Sequence, residues 1–399
     1  MREMLRRALT TVPRSQPAAK PVEPAPSRAA QRLQSLDVFR GLTIAAMLLV
    51  NNPGTWSHVY PPLEHAEWNG WTPTDLVFPF FLFIVGVAST FSLGSLIDAG
   101  AGRAGLFRKV VTRAALIFAL GLLLQGFPYY DLAHLRIFGV LQRIALSYLL
   151  AAGIVLLTGV RGQALALLGL LLGYWTLMTL VPVPGVGHGL LEPEKNLSNW
   201  LDLRVLGVNH VWQETRTWDP EGLLSTLGAV ASVLCGVLAG HWVRSRRGPD
   251  VKAFGFLYAG SMTLLVGWIW SHVFPINKSL WTSSYVLLSA GLACLVLAAT
   301  YWLVDLKGYR RWTWPFLVFG TNAIAAYWLS TLVAIVLDWV LIAGPADGEP
   351  VALKTYVYET FYASWLAPAN ASLAYAVSYV VLWLGLLSVL YRRRIFIRI

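Results

Sequence analysis

Ten apolar runs fill the chain between residues 36 and 391, separated by short polar or aromatic-rich segments. They cover about 36–51, 75–97, 109–127, 136–158, 162–181, 221–243, 251–273, 280–304, 314–342 and 372–391. A helix needs about 20 apolar residues to cross a bilayer. Most of the runs therefore predict spanning helices. The first is short, and the ninth is long enough to be tilted or broken. The pattern predicts an all-α polytopic membrane protein with about ten transmembrane helices. Residues 1–35 are rich in Pro, Ala and Arg and hold no spanning run, so they read as a disordered basic tail. Residues 36–399 read as one membrane domain.

Composition agrees with this pattern. Only 13% of the residues are charged and 56% are apolar, against about 25% charged in a soluble domain. Cys235 and Cys294 both fall inside apolar runs, which argues against a disulfide framework or a cysteine metal site. No metal-ligand spacing stands out among the seven histidines, and no glycine-rich phosphate loop is present. The net charge of +11 suggests nucleic acid only until the charges are placed. Of 31 Lys and Arg, 23 fall at the termini and in every second intervening segment, six in the remaining segments, and two (Arg40 and Arg143) within helices. This bias orients the helices with both termini cytoplasmic. It puts the segments 51–74, 127–135, 182–219 and 274–279 outside and leaves membrane lipid, not nucleic acid, as the surrounding partner.

Charged residues within spans are costly and mark a function or a buried pair. Asp37 and Arg40 open the first helix three residues apart, on one face. They form either a local ion pair or a contact to a cytoplasmic cofactor. Asp75 enters the second helix beside Thr72 and Thr74. It is either a helix-starting acid favoured by the dipole or a group that orients a catalytic side chain. Arg136 and Arg143, seven residues apart, predict one face of the fourth helix, with Gln142 beside the second; an anion or ligand role is expected of them. Asp219, followed by Pro220 and Glu221, reads as a helix N-cap. Lys278 is isolated in a segment poor in positive charge, as a snorkelling residue or a ligand-facing one. The segment 182–219 carries Trp200, His210, Trp212 and Trp218, and 343–371 carries VALKTYVYETFYASWL. Such aromatics form an interface belt or face a sugar.

With these residues read, a family resemblance can be stated. SLDVFRGL (35–42), VNNPG (50–54), HAEWNGWTPTDLVFPFFLFIVG (65–86), GVLQRIALSY (139–148), DPEGLLSTL (219–227), PINKSLWTSSYV (275–286) and DLKG (305–308) together resemble the membrane domain of heparan-α-glucosaminide N-acetyltransferases. The resemblance implies acetyl transfer from cytoplasmic acetyl-CoA, with no metal, to a glucosamine-type amine on the far side of the membrane. It implies His65 as the catalytic histidine and Asn51 as an active-site asparagine. It also implies a possible homodimer. The lysosomal members carry more sequence ahead of the first block. The expectation is therefore a bacterial relative in the inner membrane, acting on an envelope amino sugar or a glycan breakdown product.

The chemistry suits these residue types. Attack of an amine on a thioester needs a proton acceptor and donors for the developing oxyanion. Histidine as a residue type suits the proton acceptor, Asp75 is ten residues beyond His65 and can fix its tautomer, and Asn51, Asn69 and Trp68 offer N–H donors. Arg40, Asp37, Arg136, Gln142, Arg143 and Lys278 are the candidates for the acetyl-CoA path. Trp68, Asn69, His210 and Asp219 are the candidates for the acceptor sugar. Direct transfer in a ternary complex is preferred to an acetyl-histidine intermediate. The alternative reading is a transporter or flippase for an amino sugar or glycolipid, with the intramembrane charges as its substrate path.

Overall fold

The computed structural model describes residues 33–343 and 349–397. The predicted basic tail lies outside the described residues, except that residues 33–35 lead into the first helix. Ser35 is already helical, and its N–H donates to the Asp305 carboxylate at 3.2 Å. The helices are α1 (Gln34–Asn51), α2 (Val77–Asp98), α3 (Arg103–Gly126), α4 (Val140–Leu157), α5 (Val160–Leu180), the short α6 (Leu197–Leu206), α7 (Thr226–Arg244) and α8 (Pro249–Trp270). They continue as α9 (Ser283–Thr300), α10 (Trp314–Thr321), α11 (Ala323–Trp339), the short α12 (Leu353–Tyr358) and α13 (Pro368–Arg392). A small antiparallel strand pair, Leu341–Ala343 with Pro350–Ala352, lies between α11 and α12.

Among the described residues, seven helices are long and apolar enough to cross a membrane, or eight with α10 and α11 taken as one bent span. The chain is a multi-pass membrane protein. Every predicted run corresponds to a helix, but α1 and α3 are not among the seven. The first turns of α3 hold Arg103, Arg108, Lys109 and Arg113, which dilute its apolar length. The ninth run is broken: α10 and α11 meet at 71° across Asn322. The fully buried Asn322 side chain covers the broken backbone, donating to the Ile395 carbonyl at 3.1 Å and accepting from Ile397 N–H at 2.9 Å.

Depth in the bundle differs between helices. The most apolar stretch of α7 is 72% buried, and that of α8 only 17%, so α7 is central and α8 shows most of its surface to lipid. The centre is tight because small residues let backbones meet. A side chain at Gly86 would run into the Val233 carbonyl, and one at Gly236 into that of Phe83. Around this α2–α7 crossing lies the largest apolar core, including Leu82, Ile144, Val230, Val233, Leu234 and Tyr285.

Two boundaries differ from the sequence expectation, each for a local reason. The fourth helix starts at Val140, not 136, because Gly139 is extended, with φ −171°. Arg136 therefore precedes the helix and shares no face with Arg143. The sixth predicted run starts at Thr226 rather than 221. Asp219 caps a separate turn, its Oδ1 accepting from Glu221 N–H at 2.9 Å, while Asp202 accepts from Leu223 N–H at 2.7 Å. The helix N-cap expected of Asp219 is thus a cap on a turn ahead of the helix.

Candidate active site

The loops 52–76, 127–139, 181–225 and 271–282 meet at one end of the bundle. The first is kept out of helix by Pro53, Gly54, Pro61, Pro62 and Pro73, and it is tied down through its backbone. Gly54 N–H donates to the Ser372 carbonyl at 3.2 Å, and Gly70 N–H to that of Ile276 at 2.8 Å. Pro73 opens a short turn, Pro73–Leu76, that leads straight into α2; its fixed φ suits the first helical position. That turn places Asp75.

The two oxygens of the Asp75 carboxylate divide the work. Oδ2 accepts from the backbone N–H groups of Thr72 (3.0 Å) and Ala66 (3.1 Å), which holds the carboxylate still. Oδ1 faces His65 Nδ1 at 2.7 Å. Asp75 therefore both opens the turn into the helix and holds the His65 ring. Because a carboxylate only accepts, Nδ1 is the protonated nitrogen, and Nε2 carries the lone pair. The Asp75 side chain is 1% exposed and that of His65 is 47% exposed. A dry carboxylate thus grips one edge of a half-exposed ring.

Lys278 completes the cluster. Its Nζ lies 3.5 Å from Asp75 Oδ1, and 3.0 and 3.2 Å from the two ring nitrogens of His65. The turn that carries it is rigid. Asn277 Oδ1 accepts from Leu280 N–H at 2.8 Å, and Asn277 Nδ2 donates to Asn69 Oδ1 at 3.2 Å, joining the two loops. Burial pushes the Lys278 ammonium below its usual range, against the attraction of Asp75 and Glu221.

A second constellation lies beside the first. Arg136 grips Asp219 with two hydrogen bonds, Nε–Oδ2 at 2.8 Å and Nη2–Oδ1 at 2.7 Å, and reaches Glu221 at 2.5 Å. Burial opposes its charge, but Asp219 and Glu221 outweigh burial and push its pKa up. Its guanidinium also sits over the Trp212 ring at 5.9 Å. His210 closes the same region, its Nδ1 donating to the Leu135 carbonyl at 2.8 Å. Trp68 donates to the Leu191 carbonyl at 3.0 Å and packs edge-on against Trp218 at 5.1 Å.

Arg143, in the first turn of α4, is fully buried and lies over Trp281 at 5.0 Å. Its Nη2 donates to Gly222 O at 3.1 Å and to Ser225 Oγ, while Nε and Nη1 meet no partner among the described residues. Gln142 Nε2 is likewise buried and unpartnered among them. Asp202 Oδ2 is a buried acceptor without a partner in the same set, and burial pushes its carboxyl up to about 7, against the Leu223 N–H bond.

The structure thus joins His65, Asp75, Lys278 and Asn69 in one place and Arg136, Asp219 and Glu221 in another. Asn51 is exposed at the end of α1 and makes no side-chain hydrogen bond with a described residue. Asp37 and Arg40 pair at 3.0 Å near the other end of α1, where Arg40 also donates to the Gly320 carbonyl at 3.2 Å. Sequence reasoning placed Lys278 on the donor path and gave it no link to His65. The only signal was its isolation in a segment otherwise poor in positive charge.

Comparison with known proteins gives this arrangement a context. The family described as "Heparan-alpha-glucosaminide N-acetyltransferase, catalytic" matches residues 32–267. The heparan-alpha-glucosaminide N-acetyltransferase of Mus musculus is 30% identical over 370 residues, covering 79% of this chain and 56% of the mouse protein. The Homo sapiens protein of the same name is 30% identical over 372 residues, covering 79% of this chain and 55% of the human protein. The chain therefore spans about half the length of the curated relatives it matches.

Proposed function

The chain belongs to the heparan-alpha-glucosaminide N-acetyltransferase family, and from that premise we propose that it moves an acetyl group from acetyl-CoA to the amine of a glucosamine-type sugar across the membrane. The observation that carries this reading is the His65–Asp75 pair at 2.7 Å, which leaves Nε2 free of the carboxylate on a half-exposed ring. The amine attacks the thioester carbonyl. The C–N bond forms as the C–S bond breaks. His65 Nε2 takes the proton that the amine sheds and returns one to the departing CoA sulfur, so protons balance without water. The exposed Asn51 amide, with no hydrogen bond to a described residue, is the donor assigned to the oxyanion.

The remaining assignments follow from what each residue has left to give. The free Nε and Nη1 of Arg143 and the Nε2 of Gln142 suit the carbonyls of a pantetheine arm. The basic start of α3, with the Asp37–Arg40 pair, suits the nucleotide end. Arg136 and Asp219 satisfy each other and hold the loops in place. Trp68 and Asn69, close to His65 in the chain, are the acceptor-side residues. The distribution of Lys and Arg supports a cytoplasmic donor site and an external His65 loop.

The test is labelled acetyl transfer by the purified full chain in proteoliposomes, with acetyl-CoA on one side and glucosamine or a glucosamine-terminated oligosaccharide on the other. Transfer from the Arg-rich side to the His65 side is expected. Absence of both CoA binding and transfer to any amino sugar overturns the reading.

A further inference from the structure

The place of Lys278 calls for an explanation that donor binding does not give. Its Nζ is almost equidistant from the two ring nitrogens of His65, at 3.0 and 3.2 Å. The lone-pair axes of an imidazole diverge, so an atom equidistant from both nitrogens lies on neither. Nδ1 is already committed to Asp75 at 2.7 Å. The ammonium therefore faces the ring rather than accepting or donating along it, and it stands 3.5 Å from Asp75 Oδ1.

This geometry has an electrostatic consequence. A buried carboxylate in contact with one ring nitrogen favours imidazolium, the form that cannot act as a base. A cation against the same ring disfavours it and balances the carboxylate. Other charges nearby do not replace it: Glu64 and Glu67 belong to the exposed part of the His65 loop, and Glu221 and Arg143, which act on Lys278, make no hydrogen bond or ion pair with His65. We propose that Lys278 is a positioning residue for the acetyl transfer, holding His65 in the neutral Nδ1–H form so that Nε2 stays available to the acceptor amine. This rests on the assignment of His65 as the base.

The experiment compares Lys278→Met, Lys278→Arg and the charge-balanced pair Lys278→Met with Asp75→Asn, using the full chain in detergent. Two readouts are followed against pH. One is kcat/KM for glucosamine. The other is carbethoxylation of His65 by diethylpyrocarbonate, scored by mass spectrometry, which needs neutral imidazole and no acetyltransferase activity. For Lys278→Met, the acid limb of both curves moves up by about one pH unit, a tenfold loss at a fixed pH on that limb. Lys278→Arg keeps the curves within a fraction of that displacement, and KM for acetyl-CoA changes by less than about twofold in both single variants. The double variant brings the carbethoxylation curve back toward the wild type. Because it removes a buried charge pair together, it also serves if Lys278→Met does not fold.

A carbethoxylation curve that stays put in Lys278→Met, or in the double variant remains displaced, overturns the proposal. So does a rise confined to KM for acetyl-CoA, which would make Lys278 a donor contact. A wild-type protein that modifies normally but transfers nothing leaves the Lys278 effect readable and counts against the acetyltransferase reading instead.

Discussion

Two charged constellations share one end of the bundle, and they differ in what they leave unsatisfied. In the Arg136 group, the guanidinium divides itself between Asp219 and Glu221, and both carboxylates are buried against it. Its donors are turned inward onto this chain. In the His65 group, a carboxylate at 1% exposure holds a ring at 47% exposure, and one ring nitrogen keeps its lone pair. Charge that is answered from within ties loops together. Charge that fixes a partner and leaves one atom open is arranged to act on something else.

The sharpest way to break this contrast is to remove the open atom. His65→Ala is expected to lower acetyl transfer by about 10³-fold, within the range for loss of a positioned base, with little change in melting temperature. Turnover near the wild-type rate would show that the base lies elsewhere. The reverse signature belongs to the other group. Arg136→Met leaves Asp219 and Glu221 buried side by side without their cation, a loss of about 3–5 kcal/mol of stability. Thermal unfolding in detergent reads it, and turnover per folded molecule should fall far less than in His65→Ala. Equal effects of the two substitutions on turnover would erase the distinction.

A finer test asks whether Asp75 orients or merely caps. Asp75→Asn keeps the side-chain shape but can no longer demand Nδ1–H, so a loss of about 10²-fold in kcat is expected, at the low end of the range for general acid–base catalysis, with KM for the sugar little changed. A loss seen only in folding yield would make Asp75 structural. The smallest effect concerns pH. The Asp202 carboxyl, raised to about 7 in the folded protein, binds its proton more tightly than it does in the unfolded chain. Its contribution is present at low pH and declines as pH rises toward about 7. The melting temperature of the wild type should therefore fall relative to Asp202→Asn between pH 5 and pH 8 (roughly the interval bracketing that value). Parallel melting curves for the two proteins would exclude this linkage.

Much of the site was legible in the chain because its clues are local. His65 and Asp75 are ten residues apart in one loop, so a bond between them needs no knowledge of the fold. Lys278 is 213 residues from His65, and Asp219 is 83 from Arg136. Spacing along the sequence says nothing about which loops meet. Arg136 was also misplaced by extending the apolar run through Gly139, whose extended backbone starts the helix one turn later than the hydrophobic pattern does.

The sequence by itself determined that this chain is a bundle of membrane helices, because the length of an apolar run measures itself against the thickness of lipid. It also determined the family, through short polar blocks kept in order. Only the tertiary structure decided which polar residues are spent on one another. Asp219 became a loop tie because Arg136 answers it. Lys278 became a neighbour of His65 because two distant turns are clasped by Asn69 and Asn277. In a dry protein interior each charge must be answered, and the fold, by choosing what answers it, decides which groups remain open for chemistry.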